Sequence, residues 1–253
     1  MVMVGRMRRG AWGKLLGGVC CHVTGRKGEQ TMLMEDARER IVAYGKRITT
    51  EGLAVGTSGN LSEYDPETGL MAISPSGLGY FETTPEDVVV LRLDGSVVEG
   101  SRRPSSEAPL HAEVYRRRLA ARAVVHTHSP YATTLAALGE PIRAVHFTIA
   151  DSGAEEVPLS SYVTFGTPEL AASVGATFGE HPETNAVLME NHGLVACGPS
   201  MAAAFGLAVN LEFVSRVQWQ AECVGTPRVL SGEEVTGVSR RFETYGQPAG
   251  DKA

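Results

Sequence analysis

Val124-Val125-His126-Thr127-His128-Ser129-Pro130 reads as the end of a strand running directly into a helix. Residues two apart on a strand project from the same face, so His126 and His128 point together. Ser129-Pro130 then marks a helix start, because proline suits the first helical position. Alone, the H-x-H pair fits either a metal site or two half-exposed strand histidines.

Outward from this stretch the chain alternates. Ala37, Ile41, Val42, Tyr44 and Ile48 recur at helical spacing, and the acidic start and basic end of Glu35–Thr50 suit a helix that Gly52 stops. Strands are expected around Asn60–Tyr64, Leu70–Ile73 and Val88–Leu93, separated by Asp65-Pro66 and Asp94-Gly95 turns. A helix over Ser106–Leu119, the strand Ala123–Thr127 and a helix over Tyr131–Leu138 follow, then a strand around Ala144–Ile149 and a helix over Thr167–Gly179. A hairpin over Ala186–Cys197 and a helix over Met201–Val224 close the pattern. Hairpins interleaved with helices imply one domain, with a mixed sheet covered by helices on both faces.

Further candidates join the two histidines. Asn191-His192-Gly193 links two β-like runs and puts His192 at a hairpin tip. Three neutral imidazoles form a tripod that leaves zinc an open position for substrate. Otherwise His192 is a turn residue satisfied by backbone. In Arg103-Pro104-Ser105-Ser106-Glu107-Ala108-Pro109-Leu110-His111, either serine suits an N-cap and Glu107 falls in the first turn. That is an ordinary helix start. It is also where a carboxylate beside a metal could take a proton from carbon next to a polarised carbonyl. His111, one turn on, rivals His192 as third ligand but ranks below it, as a supporting or core residue. Two glycine-rich turns, Gly56–Ser62 and Ser74–Tyr80, suit an anion through backbone N–H and hydroxyl groups, or simply link strands; neither matches a P-loop or dinucleotide fingerprint.

Composition narrows the classes. The 253 residues are 43% hydrophobic and 21% charged, which suits a globular chain. The first 31 residues carry +5 of a total −6, leaving −11 on the rest. An acidic body argues against nucleic-acid binding, which needs a basic surface. No stretch reaches the roughly 18 uninterrupted apolar residues of a membrane span. Four scattered cysteines do not make a disulfide framework, and a cytoplasmic setting is expected. Residues 1–31 read as a disordered basic leader or an upstream start. Arg116–Arg118 reads as a solvated face, Cys197 and Cys223 as buried, Phe213 and Trp219 as core, and His146 as a strand residue.

In this order, Gly56–Ser62, Ile73–Gly77, Pro104–Glu107, Val124–His128, Tyr162–Thr167 and Asn191–Cys197 resemble the motifs of the class II aldolase/ribulose-5-phosphate 4-epimerase family. The resemblance runs from Glu35 to Gln247. It implies a single-domain three-layer α/β/α fold over residues 32–253, with a mainly antiparallel central sheet and a mobile C-terminal tail. It also implies a homotetramer with active sites at subunit interfaces. His126, His128 and His192 match zinc ligands, one ion per subunit. Glu107 matches the acid/base and a possible further ligand. Thr57, Gly59, Asn60, Ser76, Gly77, Ser105 and Ser106 match a phosphate pocket. Tyr162 matches a tyrosine supplied by the adjacent subunit, and Tyr245 a second one in the tail.

The implied reaction cleaves a phosphorylated ketose, resembling L-fuculose 1-phosphate, into dihydroxyacetone phosphate and an aldehyde such as L-lactaldehyde. The acidic stretch Ala150–Pro158 departs from what such a sugar leads one to expect. Epimerases of the family resemble this chain but carry Asp where Glu107 stands. A sugar-phosphate dehydratase keeps Glu and three histidines and so remains an alternative. A non-catalytic adducin-like module resembles the fold without the metal ligands, which are present here.

Overall fold

Aliphatic and β-branched runs bounded by Asp-Pro, Asp-Gly and glycine turns form strands, and the amphipathic stretches between them form helices. The computed structural model describes residues 32–242, 244 and 245. The expected leader over 1–31 and the tail beyond Tyr245 lie outside the described residues.

The chain begins with α1 (Glu35–Thr50), β1 (Asn60–Asp65), β2 (Leu70–Ile73), β3 (Val89–Arg92) and β4 (Val97–Glu99). Next come α2 (Ala108–Arg117), β5 (Ala123–Thr127), α3 (Pro130–Leu138), β6 (Ile142–Arg143), β7 (Glu156–Val157) and β8 (Leu159–Ser160). It closes with α4 (Pro168–Glu180), β9 (Ala186–Met189), β10 (Gly193–Gly198), α5 (Met201–Val224) and α6 (Gly232–Phe242). Eight strands form one sheet in the order β4-β3-β2-β1-β5-β10-β9-β8. Its pairs are antiparallel except β8 with β9.

Alternation along the strands builds two cores. Leu61, Ala72, Val90, Val125, Leu188 and Leu194 face Ile41 of α1, Leu135 of α3 and Leu211 of α5. Ile73, Val89, Val124, Val187 and Val195 face Leu110 and Val114 of α2 and Leu170, Val174 and Phe178 of α4. Adjacent Val124 and Val125 thus bury on opposite sides, and the result is the expected three-layer α/β/α arrangement. Central β5 pairs with β1 at Asn60↔His126 and with β10 at Val195↔His126. Directly paired residues share a face, so Asn60 and His126 project on the α2/α4 side.

Several local expectations need correction. Ala144–Ile149 is not a strand: β6 ends at Arg143, and a 3-10 turn spans Phe147–Ser152. His146 precedes that turn, and its ring nitrogen accepts from the Thr148 N–H at 3.3 Å. Helix α2 starts at Ala108, so Glu107 stands at its N-cap position. Ser129 holds the N-cap position of α3, but its hydroxyl makes no capping bond; Glu212 of α5 instead accepts the N–H groups of Tyr131 and Ala132 at 2.9 Å. Arg118 is no solvated side chain: it donates to the carbonyls of Phe178, His181 and Thr184 and lies over the Phe178 ring. Phe213 and Trp219 lie at the surface, against His146 and Tyr131 respectively, and Cys223 is exposed while Cys197 is buried. Periodicity located these helical residues correctly, but it cannot say which stripe of a long helix lacks a neighbour. No helix among the described residues is long and apolar enough to cross a membrane.

Candidate metal centre and active site

Strand alternation brings His126 and His128 to one side, and the β9–β10 hairpin brings His192 beside them. Their rings pack edge to face, with centroids 4.8–5.0 Å apart and planes at 68–84°. One nitrogen from each lies within 4.8 Å of the other two. The hairpin tip needs a tight reversal, which Asn191 makes in the left-handed region at φ 53°, a conformation asparagine tolerates better than most residues. Glycine is required next to it: a Cβ on Gly193 would lie 2.3 Å from the Thr127 carbonyl oxygen.

The donor chemistry fits a divalent cation. His126 Nδ1 lies 3.0 Å from the Leu194 carbonyl oxygen, which can only accept, so that nitrogen carries the proton. In the neutral ring Nε2 is then a bare lone pair, and it lies 2.9 Å from His128 Nε2. Burial pushes His126 down to about 4, partly offset by Glu107, and burial also lowers His128. Glu107 is buried, with Oε2 at 3.2 Å from His126 Nε2 and Oε1 at 3.2 Å from His192 Nε2. Burial alone would raise its carboxyl; positive charge at the His126 and His192 rings, with the Asn60 amide, outweighs that and holds it well below the usual carboxylate range. Oε1 has no hydrogen-bond partner of good geometry among the described residues. A buried carboxylate beside a His126 ring with a bare lone pair calls for positive charge, and a cation held by His126, His128 and His192 would supply it.

Beside this cluster opens a cavity of about 340 Å³. Thr57, Gly59, Asn60, Ser76, Gly77, Ser105, Ser106, Glu107, His128 and His192 all line it. Two non-local links assemble its wall: Ser76 N–H donates to the Arg103 carbonyl at 2.9 Å and Ser105 N–H to the Ser74 carbonyl at 3.0 Å. The Ser74–Tyr80 turn thus meets the Arg103–Ser105 loop, and the Ser74 N–H, donating to the Leu61 carbonyl at 3.0 Å, brings the Gly56–Ser62 turn alongside it. Among the described residues that line it there is no lysine or arginine, so an anion there would meet hydroxyls and backbone N–H groups.

Four further side chains are placed as follows. The Asn60 side chain is committed to Glu107 Oε2, to which its NH2 donates at 2.8 Å. Tyr162, expected from a neighbouring subunit, lines its own chain's cavity with 58% of its surface exposed. Tyr245 is 85% exposed against Phe242, away from that cavity. His111 is not brought to the metal cluster; its ring bonds to Asn60 and Ser62. Asn191, Val163 and Phe165, which sequence reasoning did not single out, also line the cavity. All three fall within the Tyr162–Thr167 and Asn191–Cys197 motifs, where the resemblance gave them no role of their own.

Comparison with known proteins agrees with this geometry. Residues 39–219 match the family described as Class II Aldolase and Adducin N-terminal domain. The chain is 47% identical over 216 residues to 5-deoxy-D-ribulose 1-phosphate aldolase of Bacillus thuringiensis serovar kurstaki, covering 85% of this chain and 100% of that protein. It is 35% identical over 200 residues to L-fuculose phosphate aldolase of Escherichia coli (strain K12), covering 79% and 90%. Among solved structures, an L-fuculose 1-phosphate aldolase superposes with a TM-score of 0.79 at 38% identity, covering 82% of this chain and 96% of that one.

Proposed function

Because this chain belongs to the class II aldolase family, we propose that its substrate is a short deoxyketose 1-phosphate, cleaved to dihydroxyacetone phosphate and an aldehyde. The observation that carries this reading is the meeting of three imidazoles, one buried carboxylate and a hydroxyl-lined cavity at the end of β5. The 47% identity along the whole length of a 5-deoxy-D-ribulose 1-phosphate aldolase favours a five-carbon sugar, with acetaldehyde as the two-carbon product. L-Fuculose 1-phosphate, releasing L-lactaldehyde, is the second reading, supported by the 35% relative and the 38% structural neighbour.

We assign His126, His128 and His192 as the residues that would hold a divalent ion, zinc by its preference for three imidazoles with an open position. Bound there, the ion supplies Lewis-acid stabilisation of the negative charge left on the ketone-bearing fragment. Thr57, Gly59, Ser76, Gly77, Ser105 and Ser106 grip the phosphate and so fix the reacting carbons against Glu107. As the C3–C4 bond opens, Tyr162 serves the oxygen of the departing aldehyde. The proton released from the C4 hydroxyl is taken up by the ionised Glu107, which then delivers it to C3 to complete dihydroxyacetone phosphate. Tyr245, outside its own chain's cavity, acts on a neighbouring copy in a homotetramer; its exposure, with that of Phe147 and Phe213, supports this assembly.

The test is a panel of ketose 1-phosphates and pentulose 5-phosphates, with dihydroxyacetone phosphate detected by a coupled assay. Release from 5-deoxyribulose 1-phosphate at a higher kcat/KM than from L-fuculose 1-phosphate is expected. The reverse order supports the second reading. Interconversion of pentulose 5-phosphates without net cleavage overturns both.

A further inference from the structure

Behind Glu107 runs a row of buried polar groups that none of the roles above uses. Asn60 Nδ2 donates to Glu107 Oε2 at 2.8 Å, and Asn60 Oδ1 lies 2.5 Å from His111 Nε2. His111 Nδ1 lies 2.7 Å from Ser62 Oγ, which lies 2.7 Å from the Tyr115 hydroxyl. Asn60, Ser62, Glu107, His111 and Tyr115 are all buried, so each polar atom needs a partner within the protein.

One arrangement of protons satisfies the row. An ionised Glu107 only accepts, so the NH2 of Asn60 must face it. The Asn60 carbonyl oxygen then faces His111, whose Nε2 must carry the proton. Burial pushes His111 down to about 3, so its ring is neutral and its Nδ1 is bare. Ser62 donates its hydroxyl proton to that nitrogen, and the Tyr115 hydroxyl donates in turn to Ser62, whose carbonyl oxygen is also 3.0 Å away. An asparagine amide is nearly symmetric in shape, and only its neighbours decide which end points where. With His111 presenting N–H, the flipped amide would set donor against donor at the ring and acceptor against acceptor at the carboxylate.

We propose that His111 is a positioning residue for proton transfer, locking the Asn60 amide so that Glu107 Oε2 is held and Oε1 is left free to carry the proton. Oε1 is the carboxylate oxygen without a hydrogen-bond partner among the described residues. The inference rests on the assignment of Glu107 as the acid/base.

The test compares two amides in the metal-loaded, full-length protein with a cleavable ketose 1-phosphate. His111→Gln is long enough to present a donor to Asn60, whereas His111→Asn reaches only the Ser62 side. His111→Asn is expected to lower kcat about 10–100-fold, as loss of an orienting partner does elsewhere. KM should stay within about twofold and metal content should not change, because the loss falls on the chemical step. His111→Gln should recover most of the rate. Adding Asn60→Ala to His111→Asn should cost nothing beyond Asn60→Ala alone, because the two act in series. Independently of any variant, nitrogen NMR of the unmodified protein should find the His111 proton on Nε2.

A proton on Nδ1, unchanged kcat in His111→Asn, or multiplying losses in the double variant would overturn the inference while an inactive Glu107→Gln left the aldolase reading standing. An active Glu107→Gln would instead remove the reading on which the inference rests.

Discussion

Glu107 carries two demands that pull against each other. It must be buried to sit beside the imidazoles, yet ionised to accept a proton, and among the described residues only Asn60 Nδ2 gives it a well-formed hydrogen bond. Replacing it with glutamine keeps shape and volume but removes the charge. Glu107→Gln is therefore expected to fold and retain metal while losing about 10²–10⁴-fold in kcat, the usual share of a general acid/base. Steady-state kinetics with metal analysis of the same sample checks this; an active variant shows that another group moves the proton. At this scale the sequence was informative where geometry is local. His126 and His128 follow from period-two alternation, and His192 from a hairpin tip. The engagement of Asn60 with Glu107 was not legible, because it depends on the β1–β5 register and on which way an amide faces.

Elements hold the site through close backbone approaches. Gly59, just before β1, has φ +77°, and a Cβ there would lie 2.9 Å from the His126 carbonyl oxygen. Gly56 in the same turn has φ +63° but open space around it. Gly59→Ala is expected to cost more than Gly56→Ala, with both losing at least about 1 kcal/mol from the left-handed conformation alone. Urea unfolding midpoints at neutral pH measure the pair, and equal losses would show that the approach to His126 is relieved by small shifts. Helix positions were largely readable from periodicity, including the stop at Gly52. The helix capping after His128 was not: sequence pointed to Ser129, whereas Glu212, some eighty residues away, accepts the two N–H groups. The stretch Ala144–Ile149 reads as a strand, but its second half enters a 3-10 turn that buries Ile149 and leaves Phe147 exposed.

Across the whole molecule the three-layer architecture was legible, since hairpins and helices alternate and Val124 and Val125 demand cover on both faces. The wall of the cavity was not, because links such as Ser76 to Arg103 join loops far apart in sequence. What unites these layers chemically is a cluster of lone pairs and one carboxylate, which makes sense as a cation site and poorly as a neutral core. The direct check is to follow ketose 1-phosphate cleavage and bound metal together as the protein is stripped with a chelator and reloaded with zinc. About one divalent ion per chain is expected at the start, with activity falling in proportion to its removal and returning on reloading. Full activity in protein shown to be metal-free would contradict the account.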